Sequence, residues 1–160
     1  MSLRKYSTFE TILINIDQTK RSKRNMNMVK ISTDVKEVLA NQQIASLVTA
    51  DKNGVPNIVF MGFVKVRDDE TIVMANIFWK KTEANLKENP KAAISAYMPP
   101  MKAYQIKGNV ELIDKGPLMD EVADWVATEM TDLKPKGAAL LHIEEVYDLS
   151  PGPNAGSRIQ

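Results

Sequence analysis

Apolar residues along this chain recur at two spacings, and the change between them marks out its elements. From Met28 onward the first pattern is helical: Val35, Val38, Leu39 and Gln42 share one face, and Ser32 or Thr33 can cap the turn before them. Short apolar runs of strand length follow. Residues 44–50, 55–66 and 71–78 read as strands, the first two joined by Asp51-Lys52-Asn53-Gly54, whose Asn-Gly pair accepts the positive φ of a hairpin turn. A strand over 92–98 ends at Pro99-Pro100, which cannot continue a sheet ladder, and strands over 103–113 and 138–149 complete the set. Gly62 and Gly108 each interrupt a strand; both mark a bulge or barrel bend, or for Gly62 a point where a ligand nears the backbone. Two further helices are expected. One covers 82–89 with Ala84, Leu86 and Asn85 inward, and the other covers 117–130, opened by Gly116-Pro117 and striped by Leu118, Val122, Trp125 and Val126. About six strands with hairpin and bulge signals, few helices and no βαβ alternation predict a mainly β fold, a small antiparallel barrel with flanking helices.

Composition then narrows the chemistry. At 160 residues and 44% hydrophobic content the chain suits one domain with a substantial core. With no cysteine, disulfides, thiolate catalysis and cysteine-ligated metal centres are excluded. The one histidine, His142, lies in the apolar run Ala138-Ala139-Leu140-Leu141-His142-Ile143, the setting of a half-buried strand residue. A Ser-His-Asp device is therefore not expected, nor a metal site, and the carboxylates at Asp68-Asp69-Glu70 and Glu144-Glu145 read as turn and strand-edge charges. No catalytic residue is identified from the side chains, so any chemistry falls to an organic cofactor.

Charge is unevenly spread. Residues 1–27 hold Arg4, Lys5, Lys20, Arg21, Lys23 and Arg24 against Glu10 and Asp17, or +4, so residues 28–160 carry 1 − 4 = −3. The chain divides into a basic N-terminal extension, 1–27, and a patterned domain, 28–160. Without interleaved aromatic residues the extension is a weak nucleic-acid arm, so nucleic acid is not the expected partner. The apolar run Ile12-Leu13-Ile14 is too short to span a membrane or form a signal-peptide core, and a cytoplasmic protein is expected.

The stretch with most chemical content is Lys80-Lys81-Thr82-Glu83-Ala84-Asn85-Leu86, which joins an apolar strand to a short helix ending at Asn89-Pro90. The first N–H groups of a helix lack internal partners, its dipole is positive there, and lysine adds a full charge, so a phosphate fits. Thr82 is a good N-cap by residue type, and its hydroxyl can serve either the helix or a ligand oxygen. From this segment alone, a capped helix with solvated lysines is the favoured reading, and the context of the chain has to decide for an anion.

The order of these pieces carries a resemblance. A long strand, Pro56-Asn57-Ile58-Val59-Phe60-Met61-Gly62-Phe63-Val64-Lys65-Val66, precedes one ending Ala75-Asn76, then the lysine string and Asn89-Pro90. This resembles the FMN-binding split-barrel family related to pyridoxamine 5′-phosphate oxidase, over about residues 32–149. The resemblance implies that Val59, Phe60, Met61 and Gly62 run along the flavin and supply main-chain hydrogen bonds. It implies that Ala75 and Asn76 lie beside the cofactor and that Lys80, Lys81 and Thr82 bind its phosphate, with Asn85 on the same helix. Gln105, in Tyr104-Gln105-Ile106-Lys107-Gly108, falls where relatives place a flavin-contacting side chain. A homodimer with flavins at the interface is also implied.

The chain departs from the oxidase itself at its end. The arginine–histidine motif that recognises that enzyme's substrate has no counterpart in Leu149-Ser150-Pro151-Gly152-Pro153-Asn154-Ala155-Gly156-Ser157-Arg158, so vitamin B6 oxidation is not expected. The reading is an FMN-dependent oxidoreductase of unassigned substrate. Its alternatives are a non-catalytic flavin carrier or electron-transfer protein and, from another class, a nucleic-acid- or partner-binding barrel using the basic arm.

Overall fold

The computed structural model describes residues 28–160; the basic extension 1–27 lies outside the described residues. Ser32 caps the first helix, α1 (Thr33–Asn41), accepting from Val35 N at 3.4 Å, and α1 buries Val35, Val38 and Leu39 as its spacing predicts. Seven strands follow: β1 (Ala45–Ala50), β2 (Pro56–Met61), β3 (Val64–Asp68), β4 (Thr71–Asn76), β5 (Lys91–Met98), β6 (Lys102–Ile113) and β7 (Gly137–Asp148). Helix α2 (Lys81–Glu88) connects β4 to β5, and α3 (Pro117–Glu129) connects β6 to β7.

All neighbours in the sheet are antiparallel, in the order β2-β1-β5-β6-β7-β4-β3. The sheet curls around one apolar interior filled by Leu47, Ile72, Met74, Ile94, Ile106 and Leu141, giving a split barrel whose open side is bordered by β2 and β3. Helix α1 packs into the same core, while α3 lays Val122 and Val126 on the outer face of β4 and β7, against Val73, Ala75, Ala138 and Leu140.

The strand count corrects the expectation of about six. The apolar run 55–66 is two strands, because at Gly62-Phe63 the chain leaves β1 and joins β4, fixed by Val64 N to Gly62 O at 3.2 Å and Ala75 N to Phe63 O at 3.1 Å. A continuous apolar pattern reports burial and not which neighbour supplies it. The Asn53-Gly54 turn forms as expected: Gly54 has φ 82°, and Asp51 Oδ1 accepts from Asn53 N and Val55 N at 2.8 and 2.9 Å.

Gly108 is required by close approach. The β6–β7 register shifts between Lys107 and Gly108, and a Cβ there would lie 1.9 Å from the carbonyl oxygen of His142. Beyond β7 the tail folds back: Val146 N donates to Gln160 O at 3.0 Å, and Gln160 Oε1 accepts from Ser32 N at 3.2 Å. The C-terminus thereby secures the start of α1.

Candidate functional site

Helix α2 begins with three backbone N–H groups, those of Lys81, Thr82 and Glu83, that have no partner among the described residues; the first intrahelical bond is Ala84 N to Lys80 O at 3.1 Å. The N-cap is Lys80, not Thr82, and no side chain caps the turn. That corrects the capping expectation. Lys80 and Lys81 are both exposed, and among the described residues neither pairs with a carboxylate. Glu83 would be the natural counter-ion, but both of its oxygens are occupied, Oε1 by Lys87 Nζ at 2.6 Å and Oε2 by Asn76 Nδ2 at 2.9 Å. The Lys87 ammonium first, and then Asn76, hold the Glu83 carboxyl below its ordinary range. The result is a positive helix end with unpaired donors and two unneutralised lysines, the combination that binds an oxyanion.

Thr82 faces the other way. Its side chain is 1% exposed, and Oγ1 accepts from Asn57 Nδ2 at 3.0 Å. Asn57 Nδ2 also reaches Thr49 Oγ1 at 3.3 Å, which accepts from Asn85 Nδ2 at 3.2 Å. Thr49, Asn57, Thr82 and Asn85 thus form one polar network between β1, β2 and α2. Asn85 faces inward as expected, whereas Ala84 is exposed, correcting its inward placement. Helix α2 rotates to bury Thr82, Asn85 and Leu86 because polar groups, not only apolar ones, lie beneath it. Asn57 and Thr49 were missed in the sequence. Both occupy inward positions in strands whose other inward residues are apolar, Val59 and Met61 beside Asn57, and Ala45 and Leu47 beside Thr49. That irregularity was the available signal.

On β2 the predicted residues divide by face. Met61 is buried and Val59 half-buried toward the core, while Phe60 points outward and is 77% exposed. Gly62 sits in the β2–β3 link with open space around a built Cβ, so no close packing demands glycine there. Phe60 lies in a cross-strand row with Ser46, Ser95, Gln105 and Tyr147; the next row is Ile58, Val48, Ala93, Lys107 and Glu145. Phe60 and Gln105 therefore share the outer face, three strand spacings or about 14 Å apart. A groove of 440 Å³ crosses this face over Val48, Ala93 and Lys107, with Asn89 on its wall, so it lies nearer the C-terminal end of α2 than Lys81.

Ala75 and Asn76 are both buried. Ala75 packs under α3, and Asn76 ends β4, with Oδ1 accepting from Trp79 N at 3.0 Å while Nδ2 holds Glu83. Asn76 consequently shapes the loop that delivers Lys80 and Lys81. His142 is half-buried on a strand as expected, its Nε2 3.0 Å from Glu111 Oε2. Among the described residues no three His, Asp or Glu side chains are grouped to hold a metal, and no helix is long and apolar enough to cross a membrane.

Comparison with known proteins agrees with this architecture. Residues 31–150 match the family described as pyridoxamine 5′-phosphate oxidase. An uncharacterized protein of Methanocaldococcus jannaschii is 36% identical over 135 residues, covering 83% of this chain and 90% of that protein. Among solved structures, HupZ of Group A Streptococcus superposes with a TM-score of 0.70 at 27% identity, covering 79% of this chain and 99% of that one. An FMN-binding protein from Syntrophomonas wolfei gives 0.66 at 17% identity, covering 89% and 97%. The heme storage protein HutZ of Vibrio cholerae gives 0.59 at 16% identity, covering 75% and 95%; these last two likenesses show the fold alone. With three quarters of its length matched to the family and a 36% identical relative spanning most of both chains, this chain belongs to the pyridoxamine 5′-phosphate oxidase family.

Proposed function

We propose that this protein binds FMN and acts as a flavin-dependent oxidoreductase, with the phosphate held at the start of α2. The observation that carries this reading is the set of three unpartnered N–H groups flanked by Lys80 and Lys81, at the segment where the family resemblance expects the phosphate. The donor set fits the group: main-chain N–H groups and ammoniums bind a dianion, and Glu83 is kept from competing by Lys87 and Asn76. Bound FMN would supply hydride or electron transfer. Lys80 and Lys81 neutralise the phosphate, and Thr82 contributes its backbone N–H. Among the described residues the edge of β2 along Val59, Phe60, Met61 and Gly62 has no strand partner on its far side, which leaves its main-chain groups available to the flavin edge. Gln105 belongs to this reading as an outer-face contact.

On the outer face, β2 exposes two large apolar side chains, Ile58 and Phe60, which supports a homodimer with the cofactor at the interface. The oxidase's own substrate is not part of the reading, since Arg158 is engaged by Glu145 Oε1 at 3.2 Å. Haem is not favoured either, because ligation through His142 Nε2 would break its contact with Glu111.

The absorption spectrum of the purified protein tests the cofactor, and flavin absorption is expected. Lys81→Ala should weaken FMN binding about tenfold, as loss of a charge-assisted contact does, while riboflavin, which has no phosphate, binds as before. Equal affinity of the unaltered protein for FMN and riboflavin would overturn the phosphate assignment. Reduction of the bound flavin by NADH or NADPH and reoxidation by an acceptor separates an enzyme from a carrier.

A further inference from the structure

We infer that Asn57 is a positioning residue for the phosphate end of α2, acting through Thr82; the inference rests on the FMN reading above. A helix N-terminus binds an anion only if its first N–H groups are held in one direction, and among the described residues no side chain caps this one. What fixes it is the polar network on its inner side. Asn57 Nδ2 donates to Thr82 Oγ1 at 3.0 Å and to Thr49 Oγ1 at 3.3 Å, linking the second residue of α2 to β1 and β2. Asn85 Nδ2, one turn further along, donates to the same Thr49 oxygen at 3.2 Å. Two anchors on successive turns set the rotation of α2 about its axis as well as its distance from the sheet. That rotation sends Thr82 inward and leaves Lys81 outside.

The network has consequences that apolar packing would lack. Thr82 is 1% exposed and Thr49 2%, so both accepting oxygens sit beneath α2 while the donating Asn57 is half-buried, and geometry is strongly selected there. A methyl group at position 57 would leave Thr82 Oγ1 without its donor and let the first turn rotate or fray. The side chain of Thr82 then serves the helix's orientation, and only its main chain serves the anion.

Titration of FMN and riboflavin into the full chain tests this. In Asn57→Ala, FMN affinity should fall about tenfold while riboflavin affinity stays within twofold, as loss of one oriented contact would give. Asn57→Leu, of similar volume, provides a second folded variant; it keeps the packing but has no group to donate to Thr82 or Thr49, and should produce the same selective loss. Unchanged FMN affinity in either folded variant, or equal losses for both ligands, would overturn the inference. Failure of the unaltered protein to bind FMN would instead sink the cofactor reading itself.

Discussion

Whether β6 and β7 can pair at Gly108 depends on a single hydrogen atom. Its backbone needs no unusual φ, so the requirement is steric: a methyl group would meet the His142 carbonyl at 1.9 Å, and backbone cannot yield as a flexible side chain can. Gly108→Ala should therefore destabilise the protein by at least about 2 kcal/mol, at the upper end of overpacking effects, read from urea unfolding. An unchanged midpoint would mean that the bulge relaxes. The sequence flagged Gly108 and Gly62 by the same signal, yet only Gly108 is crowded. The difference lies in His142, 34 positions away along the chain, which residue spacing does not reveal. Thr82 is the same lesson in a polar residue. Its type announces a cap, and its partner Asn57 makes it an anchor.

At the scale of elements, strand and helix identities were legible because burial has a period, while faces and breaks were less so. Helix α2 shows why. An apolar reading turns Ala84 inward, but the surface beneath offers Thr49 and Asn57, so Thr82 and Asn85 are buried instead. The lysines at its start were legible, since charge before a helix needs no tertiary information. The state of Glu83 was not, because it depends on Asn76 from β4 as well as Lys87. Its carboxyl is held below the ordinary glutamate value of 4.5, chiefly by Lys87 and then by Asn76. A carboxyl depressed in the folded state stabilises that state fully above its unfolded value, and loses the contribution as pH falls through the lowered folded value. Glu83→Gln should thus be less stable than the unaltered protein above pH 4.5, with the difference shrinking in more acidic buffer. Parallel melting curves across the acid range would measure this, and a difference independent of pH would contradict it.

For the whole molecule, the split barrel leaves two edge strands, β2 and β3, and they are managed differently. The outer face by β3 is covered by α3, with Phe63 edge-on to Trp125 at 5.6 Å and Lys65 over the same ring at 4.1 Å. Among the described residues no helix covers the outer face by β2, where Ile58 is 60% exposed and Phe60 77%. Two large apolar side chains on an open edge strand are a liability for a lone chain, and burying each is worth about 2 kcal/mol, so a second copy placed on this face would remove the liability. The face also carries Gln105, on the opposite side of the sheet from the Asn57–Thr82 network. A partner seated on this face would cover a flavin lying along the edge of β2. Light scattering should accordingly report a dimer, and Phe60→Glu, which replaces the most exposed apolar side chain of β2 with a charge, should weaken dimerisation more than tenfold and FMN binding with it. If the unaltered protein is monomeric, or if Phe60→Glu stays dimeric with full FMN affinity, this face is not the interface.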